Sequence, residues 1–326
     1  MSTETTTRSA PAAKRGPWQR ISAFLAENGA LVGLLVVCLA MFIATPEFLT
    51  ARNLLNVGVQ AAVVAILAFG VTFAIVSAGI DLSVGSIAAL SGIGAGWIAS
   101  SGLPGVLALI GGPVFGLLAG LASGLAVAYG KLPSFIATLA MLSIARGLTL
   151  VISDGRPIGL PAEVNWLGSE LGPIPVPILV MLVMFAITGF VLNRTVFGRS
   201  LYAIGGNQEA ARLSGIPVKR ITARVYALSG LFAGIAGLVL AARLESAQPQ
   251  AAATYELDAI AAVVIGGASL AGGRGKAFGT FVGALVLAVI RNGLNLLNVS
   301  AFWQQVVIGL VIALAVGVDV VRRRVS

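Results

Sequence analysis

The sequence predicts an all-α integral membrane protein, a polytopic bundle of about ten transmembrane helices with both termini in the cytoplasm. Three observations carry this. Of the 326 residues, 58% are hydrophobic and only 10% charged, with a mean hydropathy of +0.99. A soluble domain carries about 25% charged residues, so water cannot be the solvent for most of this surface. Apolar stretches of the roughly 20 residues needed to cross about 30 Å of hydrocarbon recur along the chain. Basic residues gather on one side of those stretches.

The apolar segments run over 25–44, 57–78, 82–99, 105–129, 134–152, 176–192, 221–241, 257–270, 278–297 and 301–320. Residues 1–20 hold a Ser/Thr/Pro/Ala-rich stretch ending in Lys14, Arg15 and Arg20, and read as a disordered basic cytoplasmic tail; 21–326 reads as one transmembrane domain. The first apolar run is too long for a secretory signal core and lacks a convincing small-residue cleavage site, so it is a helix. In the fourth segment Gly112, Gly116, Gly120 and Gly124 share one helix face and let a neighbouring backbone approach closely. Gly230 with Gly234, and Gly279 with Gly283, repeat the device. The eighth segment is short and Gly-rich. A pentapeptide, NLLNV, occurs at 53–57 and at 295–299, a hint of internal duplication.

An even number of spans places both ends on one side. With the N-terminus inside, sixteen of the 21 basic residues are inner, Arg52, Arg156 and Arg243 are outer, and Arg146 and Arg291 fall within spans. The net charge of +9 therefore orients the chain in a lipid bilayer and is no sign of a nucleic-acid partner. With no histidine and one cysteine, Cys38, the chain has no intrachain disulfide, no Cys/His zinc site and no His-dependent triad. The run Gly272–Lys276 (GGRGK) is not a phosphate loop: Leu270 stands where the first glycine belongs and Ala277 replaces the hydroxyl residue.

The longest inner segment, 193–224, has a helix signature at its centre. Asn207 is an N-cap candidate, 208–214 is helix-compatible, Gly215 suits the residue after the helix and Pro217 prevents continuation. Composition alone favours a solvated loop helix, with docking into a partner's groove as the other reading. Among polar residues near spans, Asp81 is placed to cap the third helix near Ser83 and Val84. Arg146 and Arg291 are accounted for by snorkelling or by pairing with an outer acid.

Four stretches together resemble the membrane permease subunits of ribose-type sugar ABC importers, a family related to branched-chain amino-acid permeases. They are GIDLSVGSIAAL (79–90), LPSFIATLAMLSIARGL (132–148), GRSLYAIGGNQEAARLSGIPV (198–218) and ELDAIAAVVIGGASLAGGRGKAFGT (256–280). The resemblance implies that 193–224 is the coupling segment, with Gly205, Asn207, Glu209, Ala210, Ala211, Arg212 and Gly215 contacting a cytoplasmic ATPase subunit. It marks Asp81, Ser83 and Gly85 as a structural motif. It also implies a second permease copy, most simply a homodimer, and an extracytoplasmic sugar-binding protein, in the plasma (inner) membrane. The permease itself is then no enzyme and holds no cofactor, ATP and Mg being bound by the ATPase partner. A neutral polyol needs hydroxyl, amide and aromatic partners, for which Ser134, Phe135, Thr138, Ser143, Asn292 and Asn295 are the path candidates. Glu245, Glu256 and Asp258 are candidates for docking the binding protein. Two alternatives stay open: an ion-coupled secondary transporter, disfavoured for protons by the lack of a central His or carboxylate, and an ABC permease for a non-sugar such as branched-chain amino acids.

Overall fold

In hydrocarbon each backbone amide must be paired within its own segment, so the apolar runs become helices. The computed structural model describes residues 29–325; the expected tail 1–20 and the start of the first segment, 25–28, lie outside the described residues. The helices are α1 (Gly29–Ala44), α2 (Ala51–Val76), α3 (Val84–Ser100), α4 (Gly105–Ala128), α5 (Ser134–Ser153), the single turn α6 (Ala162–Asn165), α7 (Val176–Arg194), α8 (Val196–Gly206), α9 (Gln208–Leu213), α10 (Val218–Arg243), α11 (Tyr255–Ile265), α12 (Ala277–Leu296) and α13 (Ala301–Val325). Among the described residues, strand is confined to two-residue antiparallel pairings: β1 (Ile158–Gly159) with β4 (Ser246–Ala247), and β2 (Glu170–Leu171) with β3 (Ile174–Pro175).

Each of the ten expected segments contains a helix, but among the described residues six helices are long and apolar enough to cross a membrane: α2, α4, α5, α7, α10 and α12. α3 spans 17 residues and α11 only 11, against the expected 257–270 for the latter. Both are short because the chain enters them through non-helical segments that reach into the bundle. Residues 77–83 precede α3, and 248–254 precede α11.

The core is built around α2 and α10, buried along most of their length. Phe73 of α2 meets Phe232 of α10 edge to face at 5.6 Å, an arrangement aromatic quadrupoles favour. The glycine face of α4 lies on α10: at Gly116 and Gly120 a Cβ would strike the backbone of Gly230, Gly234 and Tyr226. Gly279 and Gly283 of α12 lie equally close to the Gly266 and Ala262 backbone at the end of α11. Small residues thus set the helix spacing where lipid supplies no hydrophobic drive for association.

The two NLLNV copies occupy different local structures. The first lies within α2, whereas the second runs off the end of α12 into a turn where Asn298 has φ +55°. Asn53 is paired with Asn292, outside the second copy, by two amide hydrogen bonds of 3.0 and 2.8 Å. The pentapeptide therefore gives no sign of duplication in the fold.

Candidate functional site

Residues 193–224, the expected coupling segment, fold as a pair of helices held at their junctions by side-chain caps. Thr195 caps α8, its hydroxyl accepting from the Gly198 amide at 3.0 Å. Asn207 interrupts the helical path with φ −159° and ψ 104° and caps α9, its side-chain oxygen accepting from the Ala210 amide at 2.9 Å. α9 ends where Gly215 adopts φ +83° and the Ile216 amide reaches back to the Ala211 carbonyl at 3.1 Å, the left-handed stop that glycine permits. Glu209 and Arg212, one turn apart, are joined by two hydrogen bonds of 3.0 and 2.5 Å. That guanidinium holds the Glu209 carboxyl below its usual range. Glu209, Ala210 and Arg212 are exposed, but Ala211 is 4% exposed and packs into the core. Ala211 therefore lies on the inward face of α9, away from the surface that Glu209, Ala210 and Arg212 present. Leu213, 74% exposed, joins that surface; the signal was a leucine in an otherwise polar inner loop.

Gly205 faces the protein rather than a partner. A Cβ there would collide with the Val76 carbonyl oxygen and the Gly273 amide. Gly273, at φ +71°, donates to that same carbonyl at 2.9 Å. Its neighbour Gly272, at φ +88°, has no room for a Cβ beside Ala78 and the Gly205 carbonyl. Tyr202 of α8 donates to the Gly275 carbonyl at 2.8 Å. The end of α2, the end of α8 and the Gly272–Gly273 turn thus meet backbone to backbone, so the glycines that failed as a phosphate loop serve as a close-packed joint.

The chain after that joint carries Asp81, fully buried, between α2 and α3. One carboxylate oxygen accepts from the Ser83 amide at 3.0 Å and the Ser83 hydroxyl at 2.5 Å; the other accepts from Ser229 at 2.7 Å. Ser229 lies eleven residues into α10, about 16 Å along its axis, so the Asp81 loop reaches well inside the bundle. A buried carboxylate persists only with such a donor set. Gly85 leaves room for the Glu256 carboxylate and the Ala252 carbonyl oxygen, which brings the first turns of α3 and α11 together. Arg146 donates to the carbonyls of Pro249 (2.7 Å) and Ala251 (3.0 Å), and Thr149 to Pro249 at 3.1 Å. Arg146 therefore neither snorkels nor pairs with an acid: it satisfies the carbonyls of the non-helical chain leading to α11. Arg291 does pair with an acid, Asp258, at 2.5 Å.

A cavity of about 170 Å³ opens between α2, α10, α11, α12 and α13, faced by Gln60, Arg243, Tyr255, Asp258, Arg291 and Asn295. The Arg291 guanidinium lies 5.8 Å from the centre of the Tyr255 ring. Asn295 accepts from Gln304 at 2.7 Å.

Residues 53–316 match the family model described as a branched-chain amino acid transport system permease component. The chain is 48% identical over 296 residues to the ribose import permease protein RbsC of Bacillus subtilis (strain 168), covering 89% of this chain and 92% of that protein. It is 45% identical over 304 residues to RbsC of Escherichia coli (strain K12), covering 91% and 94%. To the D-allose transport system permease protein AlsC of the same E. coli strain it is 41% identical over 291 residues, covering 88% and 89%. The chain belongs to this permease family. No solved structure matches it.

The remaining site candidates fall in two groups in the permease. Of the path candidates, Ser134 accepts from the Ile80 amide at 3.3 Å, and Thr138 is buried, donating to the Ser134 carbonyl at 2.9 Å. These two support the Asp81 loop. Asn292 is committed to Asn53, and Ser143 turns back to the Leu139 carbonyl at 3.3 Å while Phe135 stands exposed on α5. Only Asn295 faces the cavity. Of the docking candidates, Glu245 is exposed and Glu256 half-buried. Asp258, 3% exposed and paired with Arg291, is not a surface acid: it lies on the face of α11 turned towards α12, while its neighbour Leu257 is exposed.

Proposed function

We propose that this protein is the membrane-spanning subunit of an ATP-driven importer for a monosaccharide, a multi-pass protein of the plasma (inner) membrane. The observation that carries the reading is near-full-length identity of 45–48% to ribose import permeases; the allose permease at 41% widens the substrate class to pentoses and hexoses. In this reading ten membrane-crossing segments, four of them short or interrupted, place both termini in the cytoplasm. Two copies enclose the path, an outer sugar-binding protein delivers the substrate, and a cytoplasmic ATPase that binds ATP and Mg seats on α9. The Asn207 cap, the Gly215 stop and the Glu209–Arg212 pair support the last step, because a helix fixed at both ends passes on a push that a loose loop would absorb. From α9 the push goes through α8 to the Gly205 joint, and so to the end of α2 and the loop that holds Asp81.

Glu209→Lys tests the coupling assignment. It should cut sugar uptake several-fold and loosen the ATPase in copurification while the permease still inserts. Unchanged uptake would refute the assignment. The ligand carried by a copurifying binding protein identifies the sugar, and a branched-chain amino acid there would favour the non-sugar alternative.

A further inference from the structure

We infer that the cavity between α2, α10, α11, α12 and α13 is a binding site for one neutral monosaccharide, which each permease copy holds on its way through the membrane. This rests on the import reading and deepens it.

Size is the first argument. A cavity of about 150 Å³ can admit one six-membered ring, and this one is about 170 Å³. The lining is the second. An apolar cavity of this size would suit a hydrocarbon, but Gln60, Asp258, Arg291 and Asn295 face this one. Asp258 gives one oxygen to Arg291. Its other oxygen, the Gln60 amide and the Tyr255 hydroxyl have no side-chain hydrogen bond among the described residues. A sugar hydroxyl both donates and accepts, and this set offers carboxylate acceptors, guanidinium donors and amides that do both. Charge is the third argument. Asp258 neutralises Arg291, and Arg243 adds a further guanidinium donor on the same wall; the lining thus holds both donors and acceptors, and the unpaired Asp258 oxygen suits a ligand that can donate a hydroxyl proton, as a polyol does. The Tyr255 ring adds an apolar face against which sugar C–H groups can lie. Position agrees: Gln60 lies in the first half of α2, while Asp258 and Arg291 lie near the ends of α11 and α12 that the basic-residue distribution assigns to the outside. The cavity is thus placed to receive a sugar delivered from that side.

The test is uptake of labelled D-ribose and D-allose by vesicles holding the complete complex, with binding protein outside and ATP inside. Gln60→Leu and Asn295→Leu remove hydrogen-bonding groups with little change in volume. Each should lower uptake about tenfold, the scale of one or two lost hydrogen bonds, with an unchanged yield of assembled complex. Gln60→Glu should recover most of it. Asn295 is exposed at the end of its helix, so its variant remains informative if Gln60→Leu fails to assemble. Uptake at the wild-type rate in both leucine variants would overturn the proposal while leaving the import reading intact. A wild-type complex that takes up neither sugar would instead defeat the import reading, and the proposal with it.

Discussion

The joint at the C-terminal end of α2 and the cavity beside its N-terminal half are opposite solutions on one helix. At the joint, Val76, Gly205 and Gly272–Gly273 meet backbone to backbone, with no space for a single Cβ. In the cavity, side chains from five helices stand back around about 170 Å³. A joint that transmits displacement must be stiff, and close-packed backbone is stiff. A site that recognises polyols needs varied donors and acceptors, which only side chains supply. The same asymmetry predicts how each region fails: the joint through steric change and the cavity through lost polar groups.

The largest effect should come at the joint. Gly205→Val forces two extra methyl groups and a Cβ against the Val76 carbonyl and the Gly273 amide. Overpacking of this kind costs about 1–3 kcal/mol or more, and the joint cannot keep its geometry. Uptake should fall at least about a hundredfold, with Gly205→Ala intermediate; wild-type uptake by Gly205→Val would show that the joint is not part of the transmission path. A smaller effect is expected at Asp81, where the chain turns back towards α3. Asp81→Ala strands the Ser83 amide and hydroxyl and the Ser229 hydroxyl. The loss of stability should be about 2–3 kcal/mol, read as a lower melting temperature of the purified permease. Asp81→Asn should lose less, since its side-chain oxygen still accepts. The smallest effect is expected at the outer surface. Glu245→Lys should raise the half-saturating concentration of binding protein by about twofold, more at low salt than at high, because exposed charges steer association and are screened. A change independent of salt would remove Glu245 from the docking surface.

How much of this was legible in the sequence follows the range of each interaction. The α9 caps were legible because Asn207, Gly215 and Pro217 act within one turn of chain. The glycine faces of α4, α10 and α12 were legible because a four-residue repeat needs no knowledge of the partner. α8 was not: 193–224 reads as a loop with one central helix, although Thr195 caps a second helix just before it. The partners of Gly205 were hidden for a different reason: Val76 and Gly273 come from distant stretches, so spacing marks the glycine and not what it touches. Asp258 was misplaced outside because an acidic residue at the start of an apolar run resembles a surface residue until Arg291 of α12 is seen to pair with it. The cavity was hidden most completely, since its walls come from five helices and only Asn295 among its residues had been singled out for the path.

In the proposed function, ATP bound by a partner, acting through α9 and the Gly205 joint, moves a monosaccharide through this protein. The most direct test measures labelled D-ribose and D-allose uptake into vesicles holding the permease with its ATPase and binding protein, comparing internal ATP with an imposed proton or sodium gradient. Uptake should require ATP and the ATPase subunit and be indifferent to the gradients. Uptake driven by a gradient alone, without the ATPase, would contradict the proposed function.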